Sequence, residues 1–125
     1  MDRLGSVIAE ILRFRDERDW AQFHTPKNLA TALSIEAAEL QELMLWKTDG
    51  EVAELLAAAD GKAQFVAEVA DVLIFSLLLF ERLGVDPVDA MRSKLEENKV
   101  KYPVELARGN ATKYSHLNAD TRKEL

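Results

Sequence analysis

Glu36 and Glu39 stand three residues apart, as do Glu68 and Asp71. On a helix that spacing sends both members of a pair from one face. Glu42 extends the first row by another three, and the second pair lies directly against Val69, Val72 and Leu73. A carboxylate in such surroundings is almost never fully buried unless it is paired or bound to a metal. Two helices facing each other with these pairs would make a nest of four carboxylates. All-oxygen ligands favour a hard cation, Mg²⁺ or Mn²⁺, over zinc or copper. A di-iron bundle wants Glu-x-x-His on two helices, and neither His24 nor His116 stands in one. Rows of Glu also occur on solvated helix faces, so a merely wet surface stays open as the alternative.

Other candidates are weaker taken alone. Trp20, Phe23 and His24 fall on a break in the helical pattern, and Trp46 falls at the end of the stretch bearing the first acidic pair. Packing against the end of a bundle accounts for an aromatic there as readily as a site does. Lys94, Asn98 and Tyr102 are spaced i, i+4, i+8 and share one helix face. Beside a metal–carboxylate nest such a row binds phosphate oxygens; elsewhere it is a solvated stripe. Arg108, Lys113 and Tyr114 carry the same ambiguity.

The elements that must position these residues read as helices. Leu4, Val7, Ile8, Ile11, Leu12 and Phe14 or Arg15 follow a 3.6-residue period. Thr25-Pro26 supplies a cap and a first-turn proline for a long helix from about Lys27 to Trp46, which Thr48-Asp49-Gly50 stops. A short piece over Glu51 to Ala59 ends at Asp60-Gly61. Lys62 to Leu83 is apolar nearly all round, the mark of a buried helix, and Gly84 closes it. Asp86-Pro87 opens a further helix to about Val100, before Tyr102-Pro103. From Pro103 onward the chain is expected to be extended. Its longest apolar run, Val72 to Phe80, is shorter than the roughly 20 residues of a membrane span. The fold class is all-α, a four-helix bundle, with one domain over 1–116 and a flexible tail over 117–125.

Composition narrows the function classes. With 125 residues, 48% hydrophobic and 30% charged, the chain suits a globular fold. The net charge of -6 argues against nucleic acid, whose affinity comes from Lys and Arg on phosphates. Cysteine is absent, which removes disulfides and thiolate chemistry and suits a reducing cytosol. No signal peptide is evident in the mixed-charge start, and a cytoplasmic protein without membrane attachment is the expectation.

An ordered set of residues then resembles one family. Phe14-Arg15, Glu17 to Trp20, Gln22 to His24, Pro26 and Asn28-Leu29 look like the opening of the dCTP pyrophosphatases, MazG-like all-α nucleoside triphosphate pyrophosphohydrolases. The likeness continues through Glu36-x-x-Glu39-Leu40-x-Glu42, Trp46-Lys47 and Glu68-x-x-Asp71-Val72-Leu73-Ile74. It runs on through Val85-Asp86, Ala90, Lys94, Asn98, Tyr102 to Val104, Arg108-Gly109 and Lys113-Tyr114. The resemblance implies a Mg²⁺ site on Glu36, Glu39, Glu68 and Asp71. It implies hydrolysis between the α and β phosphates of dCTP or a 5-modified dCTP, yielding a monophosphate and pyrophosphate. Trp20, His24 and Trp46 match residues around the base, and Lys94 and Asn98 match substrate contacts. Tetramers with sites shared between subunits are implied as well. Phe75 departs from the pattern, standing on the substrate side where animal members carry a tyrosine.

The chemistry is physically coherent. A triphosphate would be repelled by bare carboxylates, so a divalent ion between them is required. Glu39 is the leading general base for an attacking water, and Lys94 neutralises phosphate charge; Tyr102 joins the substrate side. A non-catalytic helical oligomerisation module and a metal-holding carboxylate bundle are the rival readings.

Overall fold

A computed structural model describes residues 2–117, and among them every regular element is helical. The chain divides into two compact units, Met1–Val85 and Asp86–Leu125. In the first, α1 (Arg3–Glu17) begins on Asp2, whose carboxylate accepts from the Gly5 amide at 2.7 Å. Asp19, in the left-handed region at φ 54, ends that helix region and leads into a 3₁₀ turn over Ala21–Phe23.

Thr25 then caps α2 (Pro26–Glu42), its hydroxyl accepting from the Asn28 amide at 3.1 Å. This helix stops four residues before Trp46. Leu43 to Trp46 form tight turns instead, and Trp46 itself adopts φ 62. Thr48-Asp49-Gly50, expected as a stop, proves to be a start. Thr48 caps α3 (Asp49–Ala57) in a capping box with Glu51, which satisfies two backbone amides reciprocally. Asp60-Gly61 likewise lies inside the first turn of α4 (Ala59–Leu83) and does not end α3; Ala58 alone separates the two helices. Glycine is needed at 61, where a Cβ would run into the Leu55 carbonyl oxygen. At the other end Gly84, at φ 67, closes α4 in the left-handed conformation.

α4 is the common partner of the unit, packed by α1, α2 and α3. Among the described residues, Leu29 of α2 and Leu78 of α4 are its buried apolar side chains, Leu29 the more completely. The helix is longer than its apolar run. By length and composition it could cross a membrane, with a mean hydropathy of 1.9 over its best 18 residues. Glu68 and Asp71 lie in mid-helix, where a bilayer would penalise them most.

In the second unit, Asp86 caps α5 (Pro87–Lys101) by accepting from the Asp89 amide at 3.0 Å. The segment after Pro103 is not wholly extended: α6 (Val104–Ala107) follows at once. Tyr102 meets Tyr114 edge-on at 6.1 Å, and Lys101 lies 4.9 Å from the Tyr114 ring centre. Of the expected tail, Leu117 is buried, and 118–125 lie outside the described residues.

Candidate active site

The pairing of α2 with α4 brings Glu36 and Glu39 of α2 close to Glu68 of α4. One carboxylate oxygen from each of Glu36, Glu39 and Glu68 lies within 4.8 Å of the others. Buried oxygens of Glu36 and Glu68 have no hydrogen-bond partner, and an orphaned buried acceptor is costly unless a proton or cation satisfies it. The Glu36 carboxyl is accordingly pushed up to about 7. Burial is the largest cause, followed by the nearness of the Glu68 and Glu39 carboxyls and by the negative charges of Glu39 and Asp71. Oxygens bound to one Mg²⁺ lie at most about 4.2 Å apart, twice the metal–ligand distance. A small rotamer adjustment therefore closes the trio on a hard cation, and the donor set fits one. Asp71 is not in the trio but stands one turn along α4 from Glu68.

Asp71 connects the acids to a second feature. A cavity of about 370 Å³ is lined by Asp71, Trp20, His24, Phe75, Arg15 and Glu10, with apolar residues of α1 and α4 completing it. That volume is within the range of small-molecule sites. Trp20 packs edge-on against Phe14 at 5.7 Å and lies 6.5 Å from the His24 ring. His24 Nδ1 is buried without a partner. Its pKa is pushed down, first by burial and then by the positive charges of Arg15 and Arg82, so near neutral pH the imidazole is uncharged and Nδ1 is either a donor or an acceptor, not forced to donate.

The remaining expected site residues are not among the cavity's lining. Trp46 does not line this cavity; it is 92% exposed and borders a separate hollow with Glu42 and Met44. Lys94, Asn98 and Tyr102 belong to the second unit, where Lys94 pairs with Glu97 at 3.3 Å and the Asn98 carbonyl accepts from the Tyr102 amide.

Sequence reasoning missed Arg15 and Glu10 as cavity residues. Arg15 is 8% exposed and bonds Glu81 at 2.7 Å and Asp16 at 2.8 Å. The signal was present: an arginine on the apolar stripe of α1 needs a buried partner.

Comparison with known proteins places these features in context. The profile of the MazG-like family matches residues 31–117. The dCTP pyrophosphatase 1 of Rattus norvegicus is 43% identical over 111 residues, which cover 89% of this chain and 65% of the rat protein. That of Homo sapiens is 44% identical over 104 residues, 83% of this chain and 61% of the human one. The chain thus spans less than two thirds of the length of these relatives. The crystal structure of a pyrophosphatase from Archaeoglobus fulgidus superposes with a TM-score of 0.76 at 38% identity, covering 82% of this chain and 94% of that one.

Proposed function

The chain belongs to the MazG-like family, and from that membership we propose that it is a nucleoside triphosphate pyrophosphohydrolase. Its substrate is dCTP or a 5-modified dCTP, cleaved between the α and β phosphates to the monophosphate and pyrophosphate. The names of its relatives, dCTP pyrophosphatase 1, support the substrate class. The observation that carries the reading is the sharing of Asp71. One residue borders both the carboxylate trio, through its charge on Glu36, and the aromatic cavity. A nucleotide has the matching polarity, with an anionic phosphate chain at one end and a flat apolar ring at the other.

In this assignment Glu36, Glu39, Glu68 and Asp71 hold Mg²⁺, with Mn²⁺ as a substitute. A bound cation of this kind neutralises phosphate oxygens and polarises the α phosphorus. Glu39 takes the proton of the attacking water. Trp20 and Phe75 flank the base, stacking being worth roughly 1–3 kcal/mol per base, and His24 reads its edge. Lys94 balances phosphate charge, with Asn98 and Tyr102 on the substrate side. The functional domain is 1–116, and the active form is a homotetramer in the cytoplasm, where Trp46 reaches the base from a neighbouring subunit.

The test is pyrophosphate release from a panel of canonical and 5-substituted nucleoside triphosphates, with Mg²⁺ and with EDTA. Release from dCTP, lost in Glu68→Gln and Asp71→Asn with helix content kept, is the expected result. Full activity in both variants would sink the metal-site assignment. Tight metal binding with no turnover on any nucleotide would replace the enzyme with a metal-holding bundle.

A further inference from the structure

We infer that Arg82 is a positioning residue for the aromatic cavity, holding the turn that carries Trp20 and His24 through the geometry of its guanidinium edge. The inference rests on the reading that this cavity receives a base.

The segment between α1 and α2 is tied internally by Gln22, whose Nε2 donates to the Asp19 carbonyl and to Asp19 Oδ2, each at 3.0 Å. Its backbone is tied by Trp20 N to Arg15 O at 3.1 Å, Phe23 N to Trp20 O at 2.9 Å and His24 N to Ala21 O at 3.2 Å. Side chains from two other helices take the carbonyls facing outward from it. Asn28 of α2 donates to Phe23 O at 3.0 Å. Arg82, in the last turn of α4, donates from Nε to His24 O at 2.9 Å and from Nη2 to Ala21 O at 3.3 Å. Those two nitrogens share one edge of a rigid plane, so the pair sets orientation as well as distance. A lysine in the same place could offer only a point charge.

What Arg82 holds is the cavity wall. His24 is the residue at which the chain leaves the 3₁₀ turn, so a shift of its carbonyl carries the imidazole with it. Trp20 opens the same turn. The adjacent Glu81 receives the Arg15 guanidinium at 2.7 Å, and the Arg15 carbonyl receives the Trp20 amide. The last turn of α4 thus anchors the segment at both ends. The acids sit farther up α4 and on α2, so loosening the wall leaves them in place. Loss of Arg82 therefore weakens the grip on the base while sparing chemistry at the phosphates.

The experiment compares wild type with Arg82→Lys and Arg82→Met, using dCTP as substrate and inorganic triphosphate as a competitor that has no base. Both variants should raise KM for dCTP about tenfold with kcat within about twofold, and inhibition by inorganic triphosphate should stay at the wild-type level. Wild-type KM in Arg82→Lys would show that charge alone suffices and overturn the inference. Weakened dCTP and triphosphate binding together, with a fall in kcat, would show general loss of structure and overturn it too. If wild type releases no pyrophosphate, the functional reading fails and acrylamide quenching of Trp20 in a Trp46→Phe background decides alone. Greater quenching in both Arg82 variants supports the inference, and unchanged quenching overturns it.

Discussion

Glu36 keeps a proton that a carboxyl in water would have lost well below neutrality, and this ties stability to pH in a definite direction. The folded chain holds that proton up to about 7, against an ordinary value of 4.5. Between those values the folded state binds more protons than the unfolded one, so stability falls as pH rises. With EDTA present, thermal midpoints of wild type should therefore decline from about pH 5 to pH 7 relative to Glu36→Gln, which lacks the group. A cation bound there would take the place of the proton, so added Mg²⁺ should raise the wild-type midpoint more at pH 8 than at pH 5. Parallel pH profiles for the two proteins would remove the coupling. The acids were legible in the sequence because a spacing of three is a statement about one helix face. Arg82 was not, because its partners are backbone carbonyls, and every residue has one of those.

At the scale of elements, the first turn of α4 packs closely on the end of α3 at Gly61. A Cβ at Gly61 would meet the Leu55 carbonyl oxygen, a backbone atom, and Leu55 Cδ1 at 2.7 Å. Helix propensity alone favours Ala over Gly by about 1 kcal/mol. Overpacking opposes it and costs about 1–3 kcal/mol, so Gly61→Ala should lower the denaturant midpoint, and a raised midpoint would mean that the helices can part freely. Sequence reading handled ends that carry their own chemistry, such as Thr25-Pro26, Gly84 and Asp86-Pro87. It failed at Asp49-Gly50 and Asp60-Gly61, because Asp and Gly serve first turns as well as stops; Thr48 caps the first, while α4 begins after Ala58 with no side-chain cap. The early end of α2 had no local sign at all: a tryptophan at φ 62 occupies a region that bulky residues avoid. The cavity was equally hidden, since it exists only where α1 meets α4.

For the whole molecule, the balance of covered and uncovered apolar surface is the informative feature. Val66, Val69 and Leu73 follow a helical stripe on α4 and are 54%, 37% and 59% exposed. Phe14, Ile35 and Trp46 are exposed too, an excess that marks association surfaces in stable proteins. Light scattering at micromolar concentration should give a mass near four times the 14.1 kDa chain, with Val66→Glu shifting it downward. A wild-type mass at the monomer value would contradict the assembly. The site acids have one more effect, on how the newborn chain is sorted. Glu68 and Asp71 are the two charged residues between Ala63 and Phe80. At the centre of a nascent helix the insertion machinery charges roughly 2.5–3.5 kcal/mol for an Asp. The two acids that α4 lends to the candidate site thus also weigh against its insertion into a bilayer before α2 has folded against it.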